Sequence, residues 1–186
     1  MKIGDIEIQH RMDLLLINKD ALELLSAYHS MIEINVDEIV DEFYVLQTEI
    51  DEISLLIGDA DTLVRLKNAL RKYITDLFLG ERSPEYINNR LRIGLVHKRI
   101  GVEPKLYLSA IMMLKKIIAK CLRARIEDIE KYSLVLDALD RVLYFDITLV
   151  FDTYIDSLVS EIEIAKRKTE VYANSLEIKV AERTQQ

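Results

Sequence analysis

Every helix breaker in this chain of 186 residues sits in its first part. The five glycines (Gly4, Gly58, Gly80, Gly94, Gly101) and both prolines (Pro84, Pro104) precede residue 105, and residues 105–186 contain neither. That distribution predicts short helices and turns first, then long helices running uninterrupted to the end. No strand alternation or hairpin signal competes with this, so the fold class is all-α.

Helix starts follow from local chemistry. Asn18 or Asp20 can cap a first helix carrying Leu22, Leu25, Tyr28 and Ile32 at helical spacing. Asn35 can cap the next, "NVDEIVDEFYVLQTEI", whose acidic first turns suit the positive end of a helix dipole. After Gly58, Asp59 or Asp61 starts a helix lined by Leu63, Leu66, Leu70, Ile74 and Leu77, with Gly80 as its expected C-terminal cap. Ser83 with Pro84 at the first helical position starts the helix that ends at Gly101. Pro104 opens a helix to about residue 124, and the last begins near Ile126.

That last helix carries a seam. Tyr144, Thr148, Phe151, Ile155, Leu158, Ile162, Ala165, Thr169, Tyr172 and Leu176 alternate four and three residues apart. A 3.5-residue repeat of this length is made to meet another helix. Up to about Leu158 the stripe reads as core-facing. Beyond it, "SEIEIAKRKTEVYANSLEIKVAERTQQ" is too charged for a packed core, and a parallel dimeric coiled coil is expected. Two units follow: residues 1–158, with 1–18 as an N-terminal segment, and residues 159–186 as a linker toward an absent domain.

A net charge of −7 argues against nucleic acid and against anionic membrane surfaces. No apolar run nears the roughly 18 residues that span a bilayer, and the start lacks a signal peptide's apolar core. A single cysteine, Cys121, suits a reducing compartment, so a cytoplasmic location is expected.

One motif carries chemistry: "RIGLVHKRIGVEP", residues 92–104, surrounds His97 with Ile93, Gly94, Ile100 and Gly101. Hydrolytic or transfer catalysis would need an acid, base or nucleophile in reach, and only Lys98 and Arg99 adjoin. One cysteine and three scattered histidines give no zinc ligand pair. A di-iron bundle needs two Glu-x-x-His motifs, and only Glu7-x-x-His10 exists. Haem ligation survives, because a helix lying along a flat porphyrin wants small or aliphatic neighbours one turn either side of the ligand. A mid-helix glycine costs roughly 1 kcal/mol against alanine, and close approach of a plate would offset that at Gly94. On pattern alone a core histidine bonded to backbone remains open.

"IGLVHKRIGVEPKLYLSA" resembles the proximal-histidine signature of the globin-coupled sensors, Ile-Gly-x-x-His-x-x-Ile-Gly followed by x-x-Pro and an aromatic. Ile93, Gly94, His97, Ile100, Gly101, Pro104 and Tyr107 occupy those places. "EFYVLQ" resembles the family's distal segment, with Tyr44 as the gas-facing tyrosine, and "RLKNALRKYI" its distal helix, with Leu66 at the apolar position. The resemblance covers about residues 20–158. It implies a globin-like sensor fold, a non-covalent haem b, a homodimer through the last two long helices, and signal output from a C-terminal domain such as a diguanylate cyclase or histidine kinase. His97 is then the proximal iron ligand, and Tyr44 with Leu66 meets oxygen, carbon monoxide or nitric oxide. The expected pocket adds Phe43, Leu63, Leu70, Phe78, Tyr86, Ile93, Gly94, Ile100, Gly101 and Tyr107. Arg65, Lys67, Lys72, Lys98 and Arg99 are candidates for the haem carboxylates. The domain itself is expected to catalyse nothing. The rivals are a globin-like scaffold without haem, a haem protein that turns over nitric oxide or peroxide, and an inert dimerisation module.

Overall fold

The computed structural model describes residues 3–184. Its regular elements are all helical: α1 (Asp5–Leu14), α2 (Lys19–Ser26), α3 (His29–Thr48), α4 (Asp51–Ile57), α5 (Ala60–Leu77), α6 (Pro84–Arg99), α7 (Pro104–Arg123) and α8 (Ile129–Thr184). Met1, Lys2, Gln185 and Gln186, which the expected units include, lie outside the described residues.

Local signals set most boundaries. Asn18 accepts the amide of Ala21 at 2.9 Å, Asp59 that of Thr62 at 2.7 Å, and Ser83 that of Tyr86 at 3.3 Å. Each satisfies a donor that its helix leaves unpaired at the start. Gly58 takes φ +75° and Gly101 φ +82°, backbone that a side chain would strain. At Gly101 the stop is a Schellman motif: Val102 N–H donates to the His97 carbonyl at 2.9 Å and Gly101 N–H to that of Lys98 at 3.2 Å.

Three expectations are corrected. Asn35 is not a cap; it lies inside α3 and its amide nitrogen donates to the Met31 carbonyl at 2.6 Å. α3 starts earlier, at His29, directly after a turn at Ala27 and Tyr28 that ends α2. Gly80 does not cap α5, because the Arg82 guanidinium satisfies the carbonyls of Leu77 and Leu79 at 3.0 and 2.9 Å. The last helix starts at Ile129 rather than near Ile126. Asp128 accepts the amides of Glu130 and Lys131 there.

The main core joins α2, α3, α5, α6, α7 and α8 through Leu25, Ile32, Ile74, Leu77, Phe78, Ile118, Leu122, Leu139 and Leu149, among others. Burying each such side chain contributes roughly 1.5–3 kcal/mol. α8 uses Val135, Leu139, Val142, Phe145, Leu149 and Val150 for this. Most of the seam lies on another face: Tyr144 is 61% exposed, Ile155 57% and Leu158 50%. Of the apolar seam residues up to Leu158 only Phe151 packs inward, against Tyr107 and Tyr154, so the expectation that the stripe faces the core holds there and is overturned elsewhere. Apolar residues at a different phase of the same helix already fill that role.

Candidate functional site

The ring of His97 is half-buried near the end of α6, and its Nδ1 lies 2.9 Å from the Ile93 carbonyl. A carbonyl only accepts, so Nδ1 carries the proton and Nε2 keeps a free lone pair. Burial lowers the pKa of His97, and this outweighs the opposing effect of the Ile93 carbonyl. The imidazole is therefore neutral at pH 7, the form that binds a metal.

Around it lies a cleft of three adjoining lobes of about 120, 150 and 400 Å³, all lined by His97 and Leu66. The first lies between α3, α4, α5, α6 and α7, with Tyr44, Gln47, Ile57, Ile100 and Tyr107 in its wall. The second extends along α5 through Leu70 and Tyr73, with Ile93, Ile111 and Leu114. The third, largest lobe opens between α5 and α6, where Lys72 and Arg92 meet Asn89 and Asp76. This is an apolar slot with a cationic mouth, in the roughly 300–1,000 Å³ range of small-molecule and cofactor sites.

Ion pairs hold α5 against α3: Lys67 reaches Asp41 at 2.7 Å, and Arg71 binds Asp37. Tyr44 packs edge-on against Phe43, ring centroids 5.2 Å apart. Burial raises its pKa far above the ordinary value for a phenol, so it stays protonated and can donate. Tyr107 stands edge-on to His97 at 5.5 Å. The hydroxyls of Tyr107 and Tyr73 are buried without a partner, and both side chains line the second lobe.

Of the expected pocket, His97, Tyr44, Leu66, Phe43, Leu70, Ile93, Ile100 and Tyr107 line this cleft. Leu63, Phe78, Tyr86, Gly94 and Gly101 do not. Phe78 is fully buried in the main core, and Tyr86 donates its hydroxyl to Asp146 at 2.7 Å. Gly94 does permit a close approach, but of α8: a Cβ there would stand 2.0 Å from Thr153 Oγ1 and 2.8 Å from the Val150 carbonyl. Gly101 supplies a helix stop with open space around it. Among the basic candidates, Lys72 lines the mouth, while Lys67 pairs with Asp41, Lys98 with Glu161, and Arg65 with Thr62. Arg99 does not line the cleft.

Several lining residues escaped the sequence reading: Gln47, Ile53, Leu56, Ile57, Tyr73, Arg92, Val102, Leu106 and Ala110. Tyr73 and Leu70 share the inner face of α5 with Leu66, at spacings of three and four, so helical periodicity could have found Tyr73. The α4 residues had no such signal. Among the described residues no group of three or more His, Cys, Asp or Glu could hold a metal ion. A metal at His97 would need its other ligands from a cofactor. The residues fit a haem: a free Nε2 in an apolar slot, with cations at the mouth for its two carboxylates.

A profile of the Protoglobin family matches residues 5–160. Over 168 residues the chain is 29% identical to the "Heme-based aerotactic transducer HemAT" of Halobacterium salinarum, covering 83% of this chain and 34% of that protein. It thus spans about a third of that relative's length. The globin domain of the Geobacter sulfurreducens globin-coupled sensor superposes with a TM-score of 0.74 at 21% identity, covering 78% of this chain and 96% of that one. The globin domain of E. coli DosC gives 0.64 at 16% identity, covering 72% and 97%. The fold is that of the globin domains of such sensors.

Proposed function

The chain belongs to the protoglobin family, and we propose that it is a haem-based gas sensor domain, with oxygen as the expected ligand, that regulates a C-terminal output domain. The observation that carries this reading is His97 in the wall of the cleft, with Nδ1 committed to Ile93 and Nε2 free. A ferrous haem held at Nε2 supplies reversible binding of a diatomic gas at the iron.

The chain's own residues do the rest. His97 gives its lone pair, and the Ile93 carbonyl fixes its tautomer and ring orientation. Tyr44 offers a phenolic proton to the polar end of a diatomic gas, which favours oxygen over the less charge-accepting carbon monoxide. Phe43, Leu66 and Leu70 line the cleft with apolar surface that would keep water out, and Lys72 and Arg92 at its mouth would hold the haem carboxylates. A scaffold without haem would have no use for a free imidazole nitrogen and a cationic mouth.

We assign residues 1–158 to the sensor domain and 159–186 to the linker that carries the signal onward. We further assign dimerisation to the exposed seam of α8, together with Leu108 and Met112 on α7, both exposed. Such apolar rows on long helices are buried in a second helix pair.

Visible absorption of the purified protein in its ferric, ferrous and oxygenated forms tests the reading. A strong Soret band, lost or shifted in His97→Ala, is the expected result. Tyr44→Phe should release oxygen about tenfold faster, the loss of one hydrogen bond of about 1.4 kcal/mol. A colourless protein that takes up no added haem would leave the scaffold as the better account.

A further inference from the structure

Beneath the cleft, α6 and α8 lie side by side in the same direction. Arg90 meets Asp146, Gly94 meets Val150 and Thr153, and Lys98 meets Glu161. Arg90 is 1% exposed and Asp146 fully buried. The Arg90 guanidinium donates from Nε to Asp146 Oδ2 at 2.9 Å, while Tyr86 donates to Oδ1 at 2.7 Å. The Arg90 guanidinium carbon also lies over the Tyr86 and Tyr73 rings, 4.0 and 4.3 Å from their centroids.

On the other side, toward α5, the same guanidinium is held at longer range: 3.3 Å to the Tyr73 carbonyl and 3.5 Å to Asp76. Asp76 is shared with Lys72 at 3.4 Å. Tyr73, Asp76 and Arg90 also line the third lobe of the cleft, and the Tyr73 hydroxyl has no partner. The hydrogen bonding of α6 is therefore asymmetric, short toward α8 and long toward α5, whose Tyr73 ring stacks on the guanidinium.

The side toward α8 resists movement in both senses. Backbone contact at Gly94 leaves no room for α6 to approach α8. Separating Arg90 from Asp146 would leave buried charges without compensation, a strongly unfavourable step. His97 stands seven residues after Arg90 on the same helix, so a push or pull at the ring has one compliant direction, the α5 side.

We propose that Arg90, through Asp146, is the positioning residue that makes α6 and α8 move as one body, so that a displacement at His97 reaches the signalling helix instead of being absorbed between the two. This rests on His97 being the haem ligand. Helix shifts of about 1–2 Å are the usual scale of such switches.

The test uses the haem-loaded ferrous chain with and without carbon monoxide, read by hydrogen exchange of segments 91–99 in α6 and 147–158 in α8. In the wild type the gas should change exchange in both segments. In Arg90→Lys and Asp146→Asn, with the Soret band and the α6 response kept, the α8 response should fall at least threefold. Tyr86→Phe removes one bond to Asp146 and leaves Arg90 paired. It controls for lost stability, and its α8 response should persist. An α8 response of wild-type size in both charge variants overturns the proposal, as does a wild type whose α8 ignores the gas. Loss of the α8 response in Tyr86→Phe equal to that in the charge variants also overturns it, since general destabilisation would then suffice. A wild type that takes up no haem refutes the pocket reading itself, and is told apart by its missing Soret band. Should the charge variants not fold, exchange in the wild type at rising sub-denaturing urea decides: segments 91–99 and 147–158 should lose protection together, and α6 opening while α8 stays protected overturns the proposal.

Discussion

At the scale of single residues, His97 links stability to pH. Burial holds its pKa below the ordinary 6.5. In the window below that value the unfolded chain binds a proton that the folded chain does not, so stability rises with pH there. The contribution is fully present above about pH 6.5 and is lost as pH falls through the lowered pKa of the folded state. Denaturant titrations of the haem-free protein at about pH 7.5 and 5.5 should show a lower midpoint at the acid value. In His97→Asn the part of that difference due to the imidazole should vanish. An unchanged difference would mean that His97 is not buried as a neutral ring. The spacing of isoleucines and glycines around His97 singled it out without a structure. The reason for those glycines was misread, because nothing local reports what lies beside a helix.

At the scale of helices, the crossing of α6 and α8 at Gly94 makes an unusual demand. In an open helix, glycine to alanine gains about 1 kcal/mol. Here the new methyl meets the Thr153 hydroxyl, which can turn, and the Val150 carbonyl, which cannot without moving α8. Overpacking of this kind costs about 1–3 kcal/mol. Gly94→Ala should therefore lower the urea midpoint, and adding Thr153→Ala should restore only part of it. A raised midpoint would show that the two helices part easily, and would remove the rigidity argued for Arg90 as well. The starts of α2, α5 and α6 are simpler, since each is decided within a turn by its cap, Asn18, Asp59 or Ser83.

At the scale of the whole molecule, one face of α8 builds the core and another is left bare. Ile155 is the test of what meets it. Ile155→Glu puts a charge on an exposed position, so the domain itself should fold and melt as before. Across a helix–helix seam the same carboxylate would be desolvated and would face its own copy, which forbids close packing. Sedimentation should show a dimer for the wild type and a monomer for the variant. A wild type that sediments as a monomer at tens of micromolar would refute the dimer assignment.

The sequence by itself determined the all-α class and the starts of α2, α5, α6 and α7. It also marked one histidine in an apolar setting. All of these depend on residues within about five positions of one another, where caps, turns and periodicity act. Tertiary structure alone decided which phase of α8 faces the core, that Gly94 serves a helix crossing rather than the cleft, and that Tyr86 belongs to a buried charge cluster. Arg90 and Asp146 lie 56 residues apart, and each reads alone as a charged helix residue. Only packing, which removes both from water together, makes them a pair.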